Sequence, residues 1–331
     1  EYKYIKFKEK KMLNYILVFL TALALSIILG FPILSLCKKF HLSQTILHYV
    51  DKHSGKSGTP TMGGFIFIVA SFIASLFFLK EDGYFALLIL LTMLGYGLLG
   101  FLDDFIKIKY HKNEGLKPYQ KVIGQVGIAL IIAIFAYFKI GSELDFFGLK
   151  LDIGMFIIPF IVIFYVAVTN SVNLTDGLDG LASGTSAMYL LFFGLIIAIC
   201  GFGYNNAIIS FAMVGALFGF LLFNGFPAKI FMGDTGSLAL GGLIASLAVF
   251  TKLELILPII GILYVLTALS DVLQVGYYKK THKRIFKMAP LHHHFEQCGV
   301  HENRIVAVYI VITMVCGFIA LIGYLFAWGV I

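Results

Sequence analysis

The chain has 331 residues, 60% of them hydrophobic and only 13% charged, with a mean hydropathy of +0.93. A soluble domain carries about a quarter charged residues, so this composition excludes one and points to a polytopic membrane protein. The formal net charge of +7 is no sign of nucleic-acid binding, because Lys and Arg fall between apolar runs.

About twenty apolar residues cross the hydrocarbon core as a helix. On that criterion the sequence predicts ten spans, near 12–36, 62–79, 84–106, 120–138, 154–172, 180–200, 206–226, 235–251, 255–278 and 304–330. Residues 1–11, EYKYIKFKEKK, form a basic tail ahead of a single ten-helix unit over 12–331. The first run is long enough to span and lacks a small-residue cleavage site, so it is expected to stay as a span. Between the fourth and fifth spans, SELDFFGLKLDIG alternates around a Gly and reads as a small β-hairpin. Cys37, Cys200, Cys298 and Cys316 have no paired spacing, which argues against a zinc site or a disulfide framework.

Orientation follows from the loops. The odd-numbered connections hold sixteen Lys and Arg, against Lys80, Lys139, Lys150 and Lys252 on the other side. The positive-inside rule makes the odd side cytoplasmic, with both termini and the hairpin outside. The five Lys of the tail oppose this assignment and are outvoted by the internal loops. All nine His then fall on the cytoplasmic face, together with Asp103, Asp104, Asp176, Asp179 and Asp234.

Three acidic segments carry the chemistry. GFLDDF (100–105) ends the third span on two carboxylates, NSVNLTDGLDGLASG (170–184) joins the fifth and sixth, and FNGFPAKIFMGDTGS (223–237) joins the seventh and eighth. TPTMGG, GLDGLASG and GDTGS read as helix starts, whose free N–H groups and dipole favour phosphate. Thr235 or Ser237 is suited to cap the eighth span. Lys56, Lys107 and Lys121 add positive charge. Carboxylates repel phosphate unless a divalent cation lies between them, and magnesium suits an all-oxygen set. TDGLDG lacks the pattern of a calcium loop, and GDTGS lacks the GK[ST] of a P-loop. In KMAPLHHHFEQCGVHENR (287–304), His292, His293 and His294 are consecutive and therefore diverge, so they suit hydrogen bonding or proton handling better than one metal.

Taken together, HSGKSGTPTMGG (53–64), GFLDDF, NLTDGLDGLA (173–182), FNGFPAKIFMGDTGSLALGG (223–242) and QVGYYKKTHKRIFKMAPLHHHFE (274–296) closely resemble the phospho-N-acetylmuramoyl-pentapeptide transferases, a branch of the polyprenyl-phosphate sugar-1-phosphate transferases. MAPLHHHFE favours that branch over its N-acetylglucosamine-phosphate relatives. The resemblance implies ten helices, a cytoplasmic-face cleft, outer termini, a homodimer, Mg2+, and a bacterial plasma-membrane enzyme of peptidoglycan synthesis. It implies that undecaprenyl phosphate attacks UDP-N-acetylmuramoyl-pentapeptide, giving UMP and the lipid-linked product lipid I.

By the same resemblance, Asp234 is the metal ligand, and Asp103, Asp104, Asp234 and His292 are catalytic, with Asp103 receiving or orienting the lipid phosphate. Asp176 and Asp179 line the nucleotide site, Gly177 and Leu178 supply backbone to the uridine pocket, and Phe231 stacks on uracil. Lys56, Thr61, Lys121, Asn173, Asn224, Gln274, His293 and His294 lie in or beside the cleft. Two departures stand out: Thr267 occupies a position that is acidic in the family, and GVHENRI lacks the family's prolines. The chemical route is open between direct attack and a covalent aspartyl-phosphate. A secondary transporter is the competing class, but such proteins place coupling residues near the midplane rather than at one interface.

Overall fold

A computed structural model describes residues 2–40, 42, 58–80, 83–110 and 115–329, with side chains from residue 11 onward. The described chain is almost entirely helical. α1 (Tyr2–Lys39) carries the lysine-rich residues in the same helix as the first span, and α2 (Gly64–Phe78), α3 (Tyr84–Tyr110) and α4 (Pro118–Ile140) follow. After a short hairpin come α5 (Ile157–Thr175), α6 (Leu181–Cys200), α7 (Tyr204–Asn224) and α8 (Gly233–Thr251). The C-terminal part comprises α9 (Leu257–Ile260), α10 (Ile262–Thr281), α11 (Leu291–Gln297) and α12 (Glu302–Ala327).

Eight of these helices are long and apolar enough to cross a bilayer. Two of the ten expected spans differ from a simple rod. α2 has 15 residues, which at 1.5 Å per residue falls short of a hydrocarbon core of about 30 Å. The ninth is broken: Glu254–Ile260 and Ile262–Thr281 meet at 83°. The break falls at Gly261, three residues after Pro258, where the helix closes on a Gly261 N–H to Leu257 carbonyl bond of 2.7 Å.

α8 is the axis of the bundle. Every residue from Thr235 to Thr251 is buried. A helix apolar on all sides belongs inside, and its run of Gly, Ala and Ser lets α2, α3 and α5 approach closely. α1, α4 and α12 bury one face only and turn Leu, Ile, Val and Phe outward, among them Ile16, Phe31, Ile131, Phe138, Val315 and Ile319. In water so large an apolar girdle would aggregate; against acyl chains it is the low-energy surface.

The hairpin forms as its alternation predicts. β1 (Glu143–Phe146) pairs antiparallel with β2 (Leu149–Asp152), Glu143 opposite Asp152. Phe147 and Gly148, at φ 51° and 79°, make the two-residue turn. The Asp145 carboxylate accepts from the Gly148 N–H (3.1 Å) and the Tyr324 hydroxyl (3.0 Å), fastening the hairpin to α12. α4 leads from the acidic residues of α3 to this hairpin, so the two lie at opposite ends of the bundle.

Candidate active site

Asp103 and Asp104 are consecutive on a helix, so their side chains leave it about 100° apart. Asp104 turns to the start of α8. Its carboxylate accepts from the Asp234 N–H (3.2 Å), the Thr235 N–H (2.9 Å) and the Thr235 hydroxyl (2.7 Å). The cap of α8 is therefore supplied by α3. Neither Thr235 nor Ser237 serves as the local cap expected from sequence: Thr235 donates to Asp104, and Ser237 donates back to the Gly233 carbonyl at 3.1 Å. The helices can come this close because residue 100 is Gly; a Cβ there would overlap the Asp234 carbonyl.

Asp103 borders the same Asp234 from the side of Lys107. It accepts from the Leu116 N–H at 2.8 Å and pairs with Lys107 at 2.6 Å, one helical turn on. Asp234 sits between the two acids and the basic side chains. Lys107 and Lys121 lie 2.8 and 2.9 Å from its Oδ2, and Asn173 donates to its Oδ1 at 2.6 Å. Oxygens of Asp103, Asp104 and Asp234 all lie within 4.8 Å of one another, the metal-competent cluster among the described residues. The donors are all carboxylate oxygen, which suits a hard divalent cation. All three carboxylates already have protein partners, but Asp104 is held by the backbone of α8. Asp234 and Asp103 meet mainly the side chains of Lys107, Lys121 and Asn173, which can move aside, so Asp234 and Asp103 are the better-placed ligands.

Lys107 is the residue whose place at this centre sequence reasoning missed. It was legible as a basic group on the right face, and the four-residue step from Asp103 was the signal for its role. Its second partner, Asp234, lies 127 residues away.

The 176–180 loop borders this cluster. Asp176, just past α5, is pushed up to about 8, first by burial and then by the charges of Asp234, Asp104 and Asp179. Asp179 is buried and accepts from the Ala228 N–H at 2.9 Å, while its own N–H donates to Glu302 at 2.6 Å. Leu178 packs with Leu181, Leu263, Ile305 and Tyr309. Asn224 accepts from Ser183 (2.7 Å) and donates to the Ile230 carbonyl (3.1 Å), holding the following loop.

Phe231 is half-buried, with its N–H on the Pro60 carbonyl (2.8 Å) and its carbonyl on the Gly63 N–H (2.8 Å). That strand-like pairing places the start of α2 beside the start of α8. Thr61 is buried, and an added Cβ at Gly233 would lie 2.8 Å from its hydroxyl and 2.6 Å from Asp104. Gly233 has φ +73°, a conformation that also favours Gly. Lys56 lies outside the described residues.

The histidines separate. His292 is fully buried, and a Cβ on Gly177 would clash with its Nε2 and come within 3.0 Å of His293 Nε2. Both imidazoles thus face the 176–180 loop. Burial, reinforced by His293, holds His292 well below the usual imidazole range, so it is neutral. His293 pairs with Glu296 at 3.1 Å. His294 instead accepts from the Lys287 N–H at 3.1 Å. Gln274 accepts from the Ile285 and Phe286 N–H groups, both at 3.0 Å, and donates to the Phe286 carbonyl at 3.1 Å. These last two side chains brace the 285–287 segment.

The sequence that carries these residues is matched by known proteins. The profile of glycosyl transferase family 4 covers residues 86–252, and a phospho-N-acetylmuramoyl-pentapeptide-transferase signature covers 56–68. A phospho-N-acetylmuramoyl-pentapeptide-transferase of Clostridium botulinum (strain Eklund 17B / Type B) is 45% identical over 311 residues, covering 91% of this chain and 95% of the relative. The chain belongs to the phospho-N-acetylmuramoyl-pentapeptide-transferase family. Relatives of that name from Clostridioides difficile (strain 630) and Thermoanaerobacter pseudethanolicus are 45% and 47% identical, each over 92% of this chain and 96% and 97% of the relative. The family signature begins at Lys56 and runs through Thr61 into α2, the segment that pairs with Phe231 and Met232.

Proposed function

We propose that the chain is a phospho-N-acetylmuramoyl-pentapeptide transferase, a single catalytic domain over 12–331 that crosses a bacterial plasma membrane ten times. Its acidic end faces the cytoplasm, both termini lie outside, and it works as a homodimer among membrane lipids. The substrates are UDP-N-acetylmuramoyl-pentapeptide and undecaprenyl phosphate. The observation that carries this reading is the cluster of Asp103, Asp104 and Asp234, with Lys107 and Lys121 at its edge and helix starts around it. It lies at one end of the bundle, where a lipid phosphate and a water-borne nucleotide can meet.

In the reaction a lipid-phosphate oxygen forms a bond to the β-phosphorus, and the bond from that phosphorus to the bridging oxygen breaks. UMP leaves with that oxygen, and the lipid gains the phospho-sugar. Such a transfer asks mainly for alignment and charge neutralisation. Asp234 and Asp103 would hold Mg2+, which when bound supplies charge neutralisation for the diphosphate. Lys107 and Lys121 add positive potential beside the same oxygens. Asp103 orients the attacking phosphate; with a second phosphate pKa near 6 that group is largely deprotonated already. Asp104 holds the start of α8, and with it Asp234, in place. Phe231 offers a face for the uracil, a contact worth about 1–3 kcal/mol. Asp176, Gly177, Leu178 and Asp179 form the nucleotide loop, with His292 and His293 against it. Lys56, Thr61, Asn173, Asn224, Gln274 and His294 line or brace the cleft.

The test is UMP release by the purified protein. It should require both substrates and Mg2+ together, and no release under complete conditions would end the proposal. With a chiral β-phosphorus, inversion supports direct attack, whereas retention supports the aspartyl-phosphate route.

A further inference from the structure

Behind the nucleotide loop, on the far side of His292, lie two buried hydroxyls that the transfer described above does not use. His292, Thr267 and Tyr309 come from α11, α10 and α12, and each is essentially buried, at 0%, 0% and 2% exposure. Both ring nitrogens of His292 lack a hydrogen-bond partner among the described residues, and the buried Thr267 and Tyr309 hydroxyls face only each other. A buried polar atom left unpaired is costly, since it has given up water for nothing. What marks this place is the juxtaposition on three adjoining helices: an imidazole with both nitrogens open beside a facing pair of buried hydroxyls.

Their placement is specific. The Tyr309 ring stands nearly edge-on to the His292 imidazole, with ring centres 6.5 Å apart. Thr267 faces the Tyr309 hydroxyl. The Thr267 carbonyl accepts from Ser270 at 2.7 Å, and Ser270 in turn accepts the Leu291 N–H at 3.0 Å, so α10 sets where the helix bearing His292 begins. Seven residues before Tyr309, on the same face of α12, Glu302 holds the Asp179 backbone. α12 thereby touches both sides of the loop that His292 Nε2 faces.

We propose that the Tyr309 hydroxyl, acting with that of Thr267, is a positioning group for His292. The pair supplies, through one water, the hydrogen bond that fixes the imidazole from behind and aims Nε2 at Gly177. A neutral imidazole has one donor and one acceptor nitrogen, and the bond made at one sets what the other presents. The inference rests on the reading of His292 as a group on the substrate side of the transferase.

The experiment uses the full chain in detergent with both substrates. Tyr309→Phe keeps the ring against Leu178 and Leu181 and removes only the hydroxyl. It should lower kcat about three- to tenfold, leaving KM for UDP-N-acetylmuramoyl-pentapeptide within about twofold. Thr267→Val should do the same and Thr267→Ser should restore near-normal turnover. The double variant should be no worse than the poorer single, because the two hydroxyls act as one unit. Normal kcat in both Tyr309→Phe and Thr267→Val overturns the proposal. So does a loss carried by KM alone, or one that Thr267→Ser shares in step with a lowered melting temperature. A wild-type chain without transfer activity would instead remove the function on which the inference rests.

Discussion

The carboxylate cluster and the buried histidine pocket border the same loop, yet they are built on opposite principles. Around Asp234 each charge is answered: two lysines and Asn173 meet its carboxylate, Lys107 also meets Asp103, and Asp104 is taken up by the start of α8. Around His292 the groups are uncharged, and among the described residues neither of its ring nitrogens is answered by the protein. Charges withdrawn from water cost several kcal/mol each unless paired, so a site assembled from them neutralises itself before any ligand arrives. Neutral imidazole and hydroxyls cost less to leave open. The acidic part is a closed electrostatic circuit that ligands must re-partition, and the histidine part is a set of directions held in reserve.

The largest test of that contrast is Asp234→Ala. It leaves Lys107, Lys121 and Asn173 without their common acceptor and removes a ligand of the proposed metal. UMP release should fall by about a thousandfold or more; a loss under about tenfold would show that Asp234 is peripheral. A second test splits the adjacent acids. Asp103→Asn should cut turnover by about 10²- to 10³-fold with only a small fall in melting temperature, because the amide oxygen can still accept the Leu116 N–H and Lys107 keeps Asp234. Asp104→Asn sets an amide against the Thr235 N–H and hydroxyl donors, so it should also cost about 1–3 kcal/mol of stability, seen as a lower melting temperature. Equal stabilities for the two variants would erase the distinction between a reacting acid and a structural one.

The smallest effect concerns His292. Its folded pKa is depressed, so on acidification the unfolded chain takes up a proton that the folded chain refuses. Stability is unaffected above the ordinary imidazole pKa of about 6.5 and falls below it, by at most about 1.4 kcal/mol per pH unit. Melting temperatures measured from pH 7.5 to 5.5 should fall less steeply for His292→Gln than for the wild type. Parallel curves would mean that the imidazole takes its proton in place.

Local chemistry was readable where it acts locally. GDTGS and GLDGLASG announced helix starts because Gly and Asp alter the backbone within a turn, and α8 and α6 begin there. SELDFFGLKLDIG announced a hairpin through period-two alternation around a Gly. The break in the ninth span was hidden, since Gly261 lies inside an apolar run and leaves hydropathy unchanged. The cap on α8 was hidden for another reason: Thr235 and Ser237 are good local caps, but Asp104, 131 residues earlier in the chain, makes the stronger bonds. Asn224, Gln274 and His294 stand in the motifs expected to line the cleft, and only their neighbours reveal that they also brace its walls.

By itself the sequence determined that the chain lives in a bilayer, where its apolar runs lie, and which acids, lysines and histidines bring chemistry. Those properties depend on composition and short-range pattern. Tertiary structure alone decided that Asp104 serves α8 while Asp103 faces Lys107, and that His292 lies buried against Tyr309 and Thr267. The direction in which a side chain leaves its helix is local, but what it meets there comes from distant parts of the chain.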